Sequence, residues 1–360
     1  QQYGALMNIK AEHPRVLIVS HNALSDCQSN GKTLAAFFSQ WNKDKLAQLY
    51  LTSDVPDFTH CNNFYQIHDV DILKRLTNKT KYQGRIVDFS YKRIAENYKL
   101  TISSSLILKI LRQNISPFFR FMRDILWFFS GYKTNLVIKF INDFNPEIVF
   151  FQSSNGEYAY SIVKWICTTR KIPLVMQTTD DYVTGKKTLD PFFWIHLYRL
   201  KKAYQWAVNY SDCIVSIGDK MAVEYHKRFG GKYIVAMNSI DKPDIAPYTA
   251  TNKVVQLVYA GNLGLNRWKI LSLIAQCLVE LKEESDINAE LSIYSLIKPN
   301  KHELRALSNP PYSTYKGSVD TEGLNRIKAK SDLLVHVEAF DNNNRHITRL
   351  SISTKIPEYL

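Results

Sequence analysis

The chain has 360 residues, 45% of them hydrophobic, enough to bury a large core and to favour two domains over one. Lysine and arginine number 46 against 33 acidic residues, and the net charge of +13 favours anionic partners: phosphorylated substrates, acidic lipid headgroups or nucleic acid. Cys27, Cys61, Cys167, Cys213 and Cys277 are scattered without a C-x-x-C pair, which argues against a disulfide framework and a zinc site and points to a reducing compartment. Gln1 to Lys10 lacks the order of a signal peptide, and no run reaches the roughly 18 apolar residues of a spanning helix.

Short β-rich runs alternate with helix-length periodic segments throughout, the pattern of parallel sheets covered by helices, so the fold class is α/β. The first strand is predicted over Arg15 to Ser20 (RVLIVS), and a polar loop, His21 to Lys32, leads into a helix starting near Gly31. There backbone N–H groups and the helix dipole can hold a phosphate, and Gly31 lets the backbone approach closely. Gly31-Lys32-Thr33 also matches the end of a P-loop, but the first glycine of that motif falls on Asp26, whose charge opposes the phosphate such a loop cradles. An anion contact and an ordinary helix start both stay open. His21 reads chiefly as a hydrogen-bonded loop residue.

Residues 105–140 are unusually aromatic and basic. A helix from Pro117 puts Phe118, Phe121, Met122, Ile125 and Phe129 on one face and Arg120, Arg123, Asp124 and Trp127 on the other. With Lys109, Arg112, Lys133 and Lys139 nearby, the apolar face suits either an anionic membrane interface or the protein core. Further strands are predicted at Glu147 (EIVFFQSS), Pro173 (PLVMQTTD), Cys213 (CIVSIG) and Lys232 (KYIVAMN). Thr178 to Tyr182 (TTDDY) ends one of them, at the edge where open α/β sheets place ligands. Asp180 or Asp181 can therefore orient a hydroxyl or stabilise positive charge, or equally cap the segment that follows.

A polar, proline-containing stretch, Ser239 to Asn252, marks a boundary: a first domain over 1–240, a linker over 241–252 and a second domain over 253–360. The second domain opens with VVQLVYAG and a glycine-bearing loop, Val258 to Lys269, in which Arg267 or Lys269 can meet a diphosphate. It continues through AELSIYS at Ala289, a turn at Gly317, a helix near Glu322 to Lys330 and LLVHVEA at Leu333. Ser353 to Leu360 (STKIPEYL) reads as the first turns of a helix, so the second domain is expected to be incomplete at its C-terminus.

Four segments in order, SDCIVSIGDKMAVEYHKRFGGKYIVAMNSID, YAGNLGLNRWK, YKGSVDTEGLNRIKAKSDLLVHVE and STKIPEYL, resemble the GT-B glycosyltransferases, specifically glycosyltransferase family 4. The resemblance covers roughly 210–360. It implies two Rossmann-like domains facing across a cleft and a retaining transfer of a hexose from a nucleoside-diphosphate sugar, with UDP- or GDP-sugars expected, to a glycan or lipid-linked acceptor. Such chemistry serves bacterial capsule, exopolysaccharide or O-antigen synthesis at the cytoplasmic face of the membrane, with no metal and no cofactor besides the donor. Carried onto this sequence, the resemblance puts Glu358 on the ribose hydroxyls, Lys355 near the diphosphate, Lys269 on the departing phosphate, and Gly31 over it from the other domain. Gly261 and Asn262 occupy the family's G-R-L loop, where Asn262 replaces the arginine, so its charge comes from Arg267 or Lys269 or is absent. The family's E-x7-E pair is broken because Leu350 stands eight residues before Glu358; Glu338 serves instead with DNNNRHITRLS inserted between, or is a solvated loop acid. The competing functions are a P-loop nucleotide hydrolase, a GT-B nucleotide-sugar 2-epimerase and a basic nucleic-acid-binding protein. The last has no compact basic helix or aromatic RNA-binding pattern behind it.

Overall fold

The computed structural model describes residues 13–25, 29–76, 78, 81–88, 117–185, 188–237, 254–353 and 355–359. The chain divides into two compact units, residues 1–238 and 239–360. The expected linker, 241–252, lies outside the described residues.

The first unit is built on an eight-stranded sheet in the order β4-β3-β2-β1-β5-β6-β7-β8. Its strands are β1 (Val16–Ser20), β2 (Leu46–Tyr50), β3 (Asn63–Gln66), β4 (Arg85–Val87), β5 (Ile148–Gln152), β6 (Leu174–Thr178), β7 (Ser211–Ser216) and β8 (Tyr233–Val235). All pairings are parallel except that of β3 with β4. Helices on both faces explain why β1 and β2 are buried along their whole length, with no polar alternation to mark an outer side. Between β1 and β5 the strand order reverses, and the loops leaving the two strands diverge there.

The helices of this unit are α1 (Ser29–Phe37), α2 (Asp69–Arg75), α3 (Pro117–Ser130), α4 (Asn135–Phe144), α5 (Glu157–Arg170), α6 (Pro191–Tyr210) and α7 (Asp219–Phe229). Local sequence sets several of their ends. Thr134 accepts from the Val137 amide to start α4, and Asp190 accepts from the Phe192 and Phe193 amides ahead of Pro191 at the first turn of α6. In α3 the expected polar face points inward: Arg123, Asp124, Trp127 and Ser130 are buried, while Phe118, Phe119, Met122, Phe128 and Phe129 are exposed. The core-facing reading of its apolar face is overturned.

The second unit has a four-stranded parallel sheet in the order β11-β10-β9-β12, made of β9 (Val255–Ala260), β10 (Ala289–Tyr294), β11 (Ser313–Gly317) and β12 (Leu333–Leu334). Its helices are α8 (Arg267–Ser285), α9 (Lys301–Leu307), α10 (Thr321–Ala329), α11 (Asn342–Thr348) and α12 (Lys355–Tyr359). Tyr259, Leu271, Leu278, Leu291, Ile293 and Leu307 form its core. Order again reverses beside the first strand, here between β9 and β12. Gly317, expected in a turn, instead closes β11.

Candidate functional site

In the second unit β9 delivers its chain into a tight loop, Gly261 to Asn266, at the carboxyl edge beside β12. The Tyr259 hydroxyl donates to the Asn262 carbonyl at 2.7 Å, and the Gly264 amide donates to Asn262 Oδ1 at 2.7 Å. Asn262 thus shapes the loop on which it sits. Leu265 and Asn266 follow with φ of 56° and 60°, a left-handed step that turns the chain into α8. That step is held from outside. Asn344 Nδ2 donates to the Leu265 carbonyl at 3.0 Å, and Asn266 Nδ2 donates to Asp341 Oδ2 at 3.1 Å. Asp341 caps α11 through the Asn344 amide, and this bond first, then the two asparagine side chains, hold its carboxyl below the usual range. The segment that reads as an insertion therefore folds into a short helix bracing the glycine loop.

Arg267, the first residue of α8, forks onto Glu338, with Nε–Oε2 at 3.1 Å and Nη2 at 2.9 Å from both carboxylate oxygens. Beyond β12 burial alternates, with Val337 and Ala339 in the core, so His336 and Glu338 share the other side. His336 Nε2 lies 3.6 Å from Glu338 Oε1. Burial lowers the His336 pKa, with the Lys355 and Arg267 charges adding to the effect against Glu338. Lys355 reaches in from α12, its ammonium 4.6 Å from the centroid of the Tyr259 ring. Its tip occupies the space beside Gly261 that a Cβ would fill.

The structure thus brings Gly261, Asn262, Arg267, Glu338 and Lys355 to the carboxyl edge of β9 and β12. Lys269 stands one step away, exposed, 5.6 Å from the Trp268 ring and close enough to Asp341 to favour its ionised form. The Glu358 side chain lies outside the described residues. His336 escaped sequence reasoning, although its position two residues before Glu338 in an alternating segment was the available signal.

In the first unit, His21 and Asn22 leave β1 while Gln152, Ser153 and Ser154 leave β5, all at the point where the order reverses. Burial lowers the His21 pKa to about 4, helped by the charge of Arg123 and opposed by Asp69 and Asp54. Gly31 is buried inside α1, where a Cβ would run into the Ala23 carbonyl and Ser25, so it packs the loop against the helix. The two aspartates after β6 separate. Asp181 has no exposed side-chain surface and accepts from Tyr225 Oη at 2.7 Å and Thr184 Oγ1 at 2.6 Å, with Arg228 Nη1 at 3.5 Å. It ties the loop to α7. Asp180 is half-buried and accepts from Tyr182 Oη at 3.0 Å. Among the described residues no group of three His, Cys, Asp or Glu converges as a metal-ligand set.

No protein-family model matches the sequence. No curated protein matches it either. Solved structures do. The chain is similar to TarM of S. aureus, at 8% identity over 89% of this chain and 79% of that one, with a TM-score of 0.51. It is also similar to Anabaena HepE in complex with UDP and glucose, at 11% identity over 91% and 74% of the two chains and a TM-score of 0.48. The lipopolysaccharide outer core galactosyltransferase WaaB follows at 9% identity, 91% and 74% coverage and a TM-score of 0.47. At such identities likeness speaks to architecture alone, and with two parallel-sheet α/β domains the chain has the GT-B fold.

Proposed function

We propose that the chain is a retaining glycosyltransferase of the family 4 type, moving a hexose from a nucleoside-diphosphate sugar to a glycan or lipid-linked acceptor. The observation that carries this reading is the convergence of Gly261, Arg267, Glu338 and Lys355 at the reversal point of the second sheet. A nucleoside diphosphate needs close backbone approach, cations for its phosphates and a carboxylate for its ribose, and these residues supply each.

In the reaction the bond from the sugar C1 to the diphosphate oxygen breaks as an acceptor hydroxyl oxygen bonds to C1 on the same face. The departing phosphate takes the hydroxyl proton. Arg267, Lys355 and Lys269 stabilise the charge that grows on the diphosphate, the largest service a preorganised site offers. Glu338 holds the Arg267 fork until the donor arrives, and Glu338 or Glu358 then takes the ribose hydroxyls. Asp180 rather than the enclosed Asp181 is the carboxylate we assign to the acceptor hydroxyl. This chemistry requires no metal. Its setting is bacterial cell-surface polysaccharide synthesis, with the enzyme at the inner face of the membrane.

The test is calorimetry of UDP, GDP, ADP and CMP against the full chain. Binding of one diphosphate in the micromolar range, weakened at least about tenfold by Arg267→Ala, is expected, since a charge-assisted fork is worth about 1.5–3 kcal/mol. Absence of binding to any of them, or binding indifferent to both Arg267→Ala and Glu358→Ala, would overturn the reading.

A further inference from the structure

An amphipathic helix on a water-soluble protein hides its apolar face, and α3 does the reverse. Phe128 is 72% and Phe129 68% exposed, and Phe118, Phe119 and Met122 are exposed with them. The inward face is charged. Arg123 Nε lies 2.9 Å from Asp69 Oδ1, the same oxygen accepts from the Trp127 indole at 2.8 Å, and Asp124 lies 2.8 Å from His196 Nδ1. Trp127 stacks on Tyr158 with centroids 4.3 Å apart, and the Arg123 guanidinium lies 5.0 Å from the Tyr158 centroid. Water gains nothing from this arrangement. Buried ions pay for desolvation, and exposed phenylalanines forfeit what burial would have returned.

The neighbouring helix extends the same surface. Phe118 and Phe121 meet Phe192 at the start of α6, with centroids 4.9 and 5.6 Å apart. The outer face of α6 then carries Trp194, Ile195 and Tyr198, all exposed, followed at helical spacing by Lys201 and Lys202. Leu189, wholly exposed, stands beside the loop where Trp194 Nε1 donates to the Thr188 carbonyl at 2.9 Å. Lys202 Nζ lies 4.6 Å from the Tyr198 centroid. No acid occurs in α6, and the single acid of α3 is the buried Asp124. The surface is therefore aromatic and aliphatic, continued by cations, with no exposed acid on either helix to repel an anionic partner.

We infer that the outer faces of α3 and α6 form a docking surface for an anionic lipid bilayer, with Phe118, Phe128, Phe129 and Trp194 entering the interface and Lys201 and Lys202 meeting headgroup phosphates. No helix among the described residues is long and apolar enough to cross a membrane, so the surface lies on the bilayer. This deepens the membrane setting of the proposed function but does not depend on its chemistry, since docking can be scored where no nucleotide binds.

The experiment is flotation of the full chain with phosphatidylcholine vesicles, with and without phosphatidylglycerol, alongside sedimentation velocity. The chain is expected to float with the anionic vesicles. Phe128→Ser with Phe129→Ser, at an unchanged melting temperature, is expected to lose at least about tenfold in vesicle affinity. Lys201→Glu with Lys202→Glu is expected to lose about as much on anionic vesicles and little on neutral ones. Three results would overturn the inference: no flotation of the parent chain, flotation unaltered in the phenylalanine variant, or a stable dimer that this variant returns to monomer.

Discussion

Arg267 and Glu338 stand 71 residues apart in sequence and meet as a forked ion pair, Nη2 lying 2.9 Å from each carboxylate oxygen. On the proposed donor-site reading, a diphosphate has to displace the Glu338 carboxylate before it can use the Arg267 guanidinium. Glu338→Gln removes that competition. Inorganic pyrophosphate, which has no ribose to offer, is expected to bind this variant about fivefold tighter, the equivalent of ~1 kcal/mol for a partly exposed pair. Calorimetry of pyrophosphate against parent and variant measures it, and an unchanged affinity would place the diphosphate elsewhere.

Gly261→Ala tests the loop from another side. The added Cβ meets the tip of the Lys355 side chain, which can swing away, so stability is expected to fall by no more than about 1 kcal/mol. Lys355 would lose its place over Tyr259. Nucleotide affinity should then drop roughly as far as it does in Lys355→Ala, a comparison that paired titrations and melting curves resolve.

His21 links stability to pH. Its folded pKa, about 4, lies below the unfolded value of 6.5, so the unfolded chain binds the proton more readily. The contribution is complete above about pH 6.5 and is lost as pH falls towards 4, up to about 3 kcal/mol for a shift of this size. Urea denaturation at pH 7 and pH 4.5 should show His21→Gln losing less stability over that interval than the parent. Equal losses would mean that other groups carry the acid sensitivity.

The two aspartates of the TTDDY segment should separate in kinetics. Asp181→Asn weakens the acceptor of Tyr225 and Thr184 and is expected to lower the melting temperature while leaving kcat of the residual folded enzyme near the parent value. Asp180→Asn is expected to leave melting unchanged and to lower kcat by about tenfold or more. The opposite pattern would return the acceptor role to Asp181.

The inverted helix predicts an inverted mutational profile. Asp124→Ala leaves the buried His196 without its carboxylate and Arg123→Met leaves Asp69 without its guanidinium, each expected to cost about 3 kcal/mol. Phe128→Ser, at an exposed site, should cost within about 0.5 kcal/mol. Denaturant titration of the three proteins decides whether the charged face is the structural one.

Hydrophobic runs made β1, β5 and β6 visible in the sequence, because a strand buried on both faces is nearly continuous in Val, Ile, Leu and Phe, and β7 and β9, buried over their second halves, carry the same kind of run. By contrast, β2 (LAQLY) and β3 (NFYQ) carry Gln48 and Gln66, which are buried yet polar. Their amides are satisfied from afar, Gln48 by Ser20 Oγ and the Asn22 carbonyl and Gln66 by the Thr52 carbonyl. Nothing local advertises such a strand. The periodicity of α3 was equally plain, but which face turns inward depends on Asp69 and His196, 54 and 72 residues distant. In the second unit the glycine loop with Arg267 and Lys269 was a weak signal by itself, and Lys355 entered only through the family resemblance. That Arg267 would find Glu338, and that Asp341 and Asn344 would brace the loop, are tertiary facts that no window of sequence contains.

The charges hidden under α3 also bear on where the proposed membrane affinity resides. Cut out as a peptide, residues 117–130 would keep the amphipathic pattern but at a length where an isolated helix is marginal, and would lack Trp194, Lys201 and Lys202 of α6. Fused to another protein it would carry only part of the surface. Only the assembled domain, with Asp69, Tyr158 and His196 drawing the polar side inward, turns the phenylalanines out. On that proposal, a chain that misfolds loses its address along with its shape.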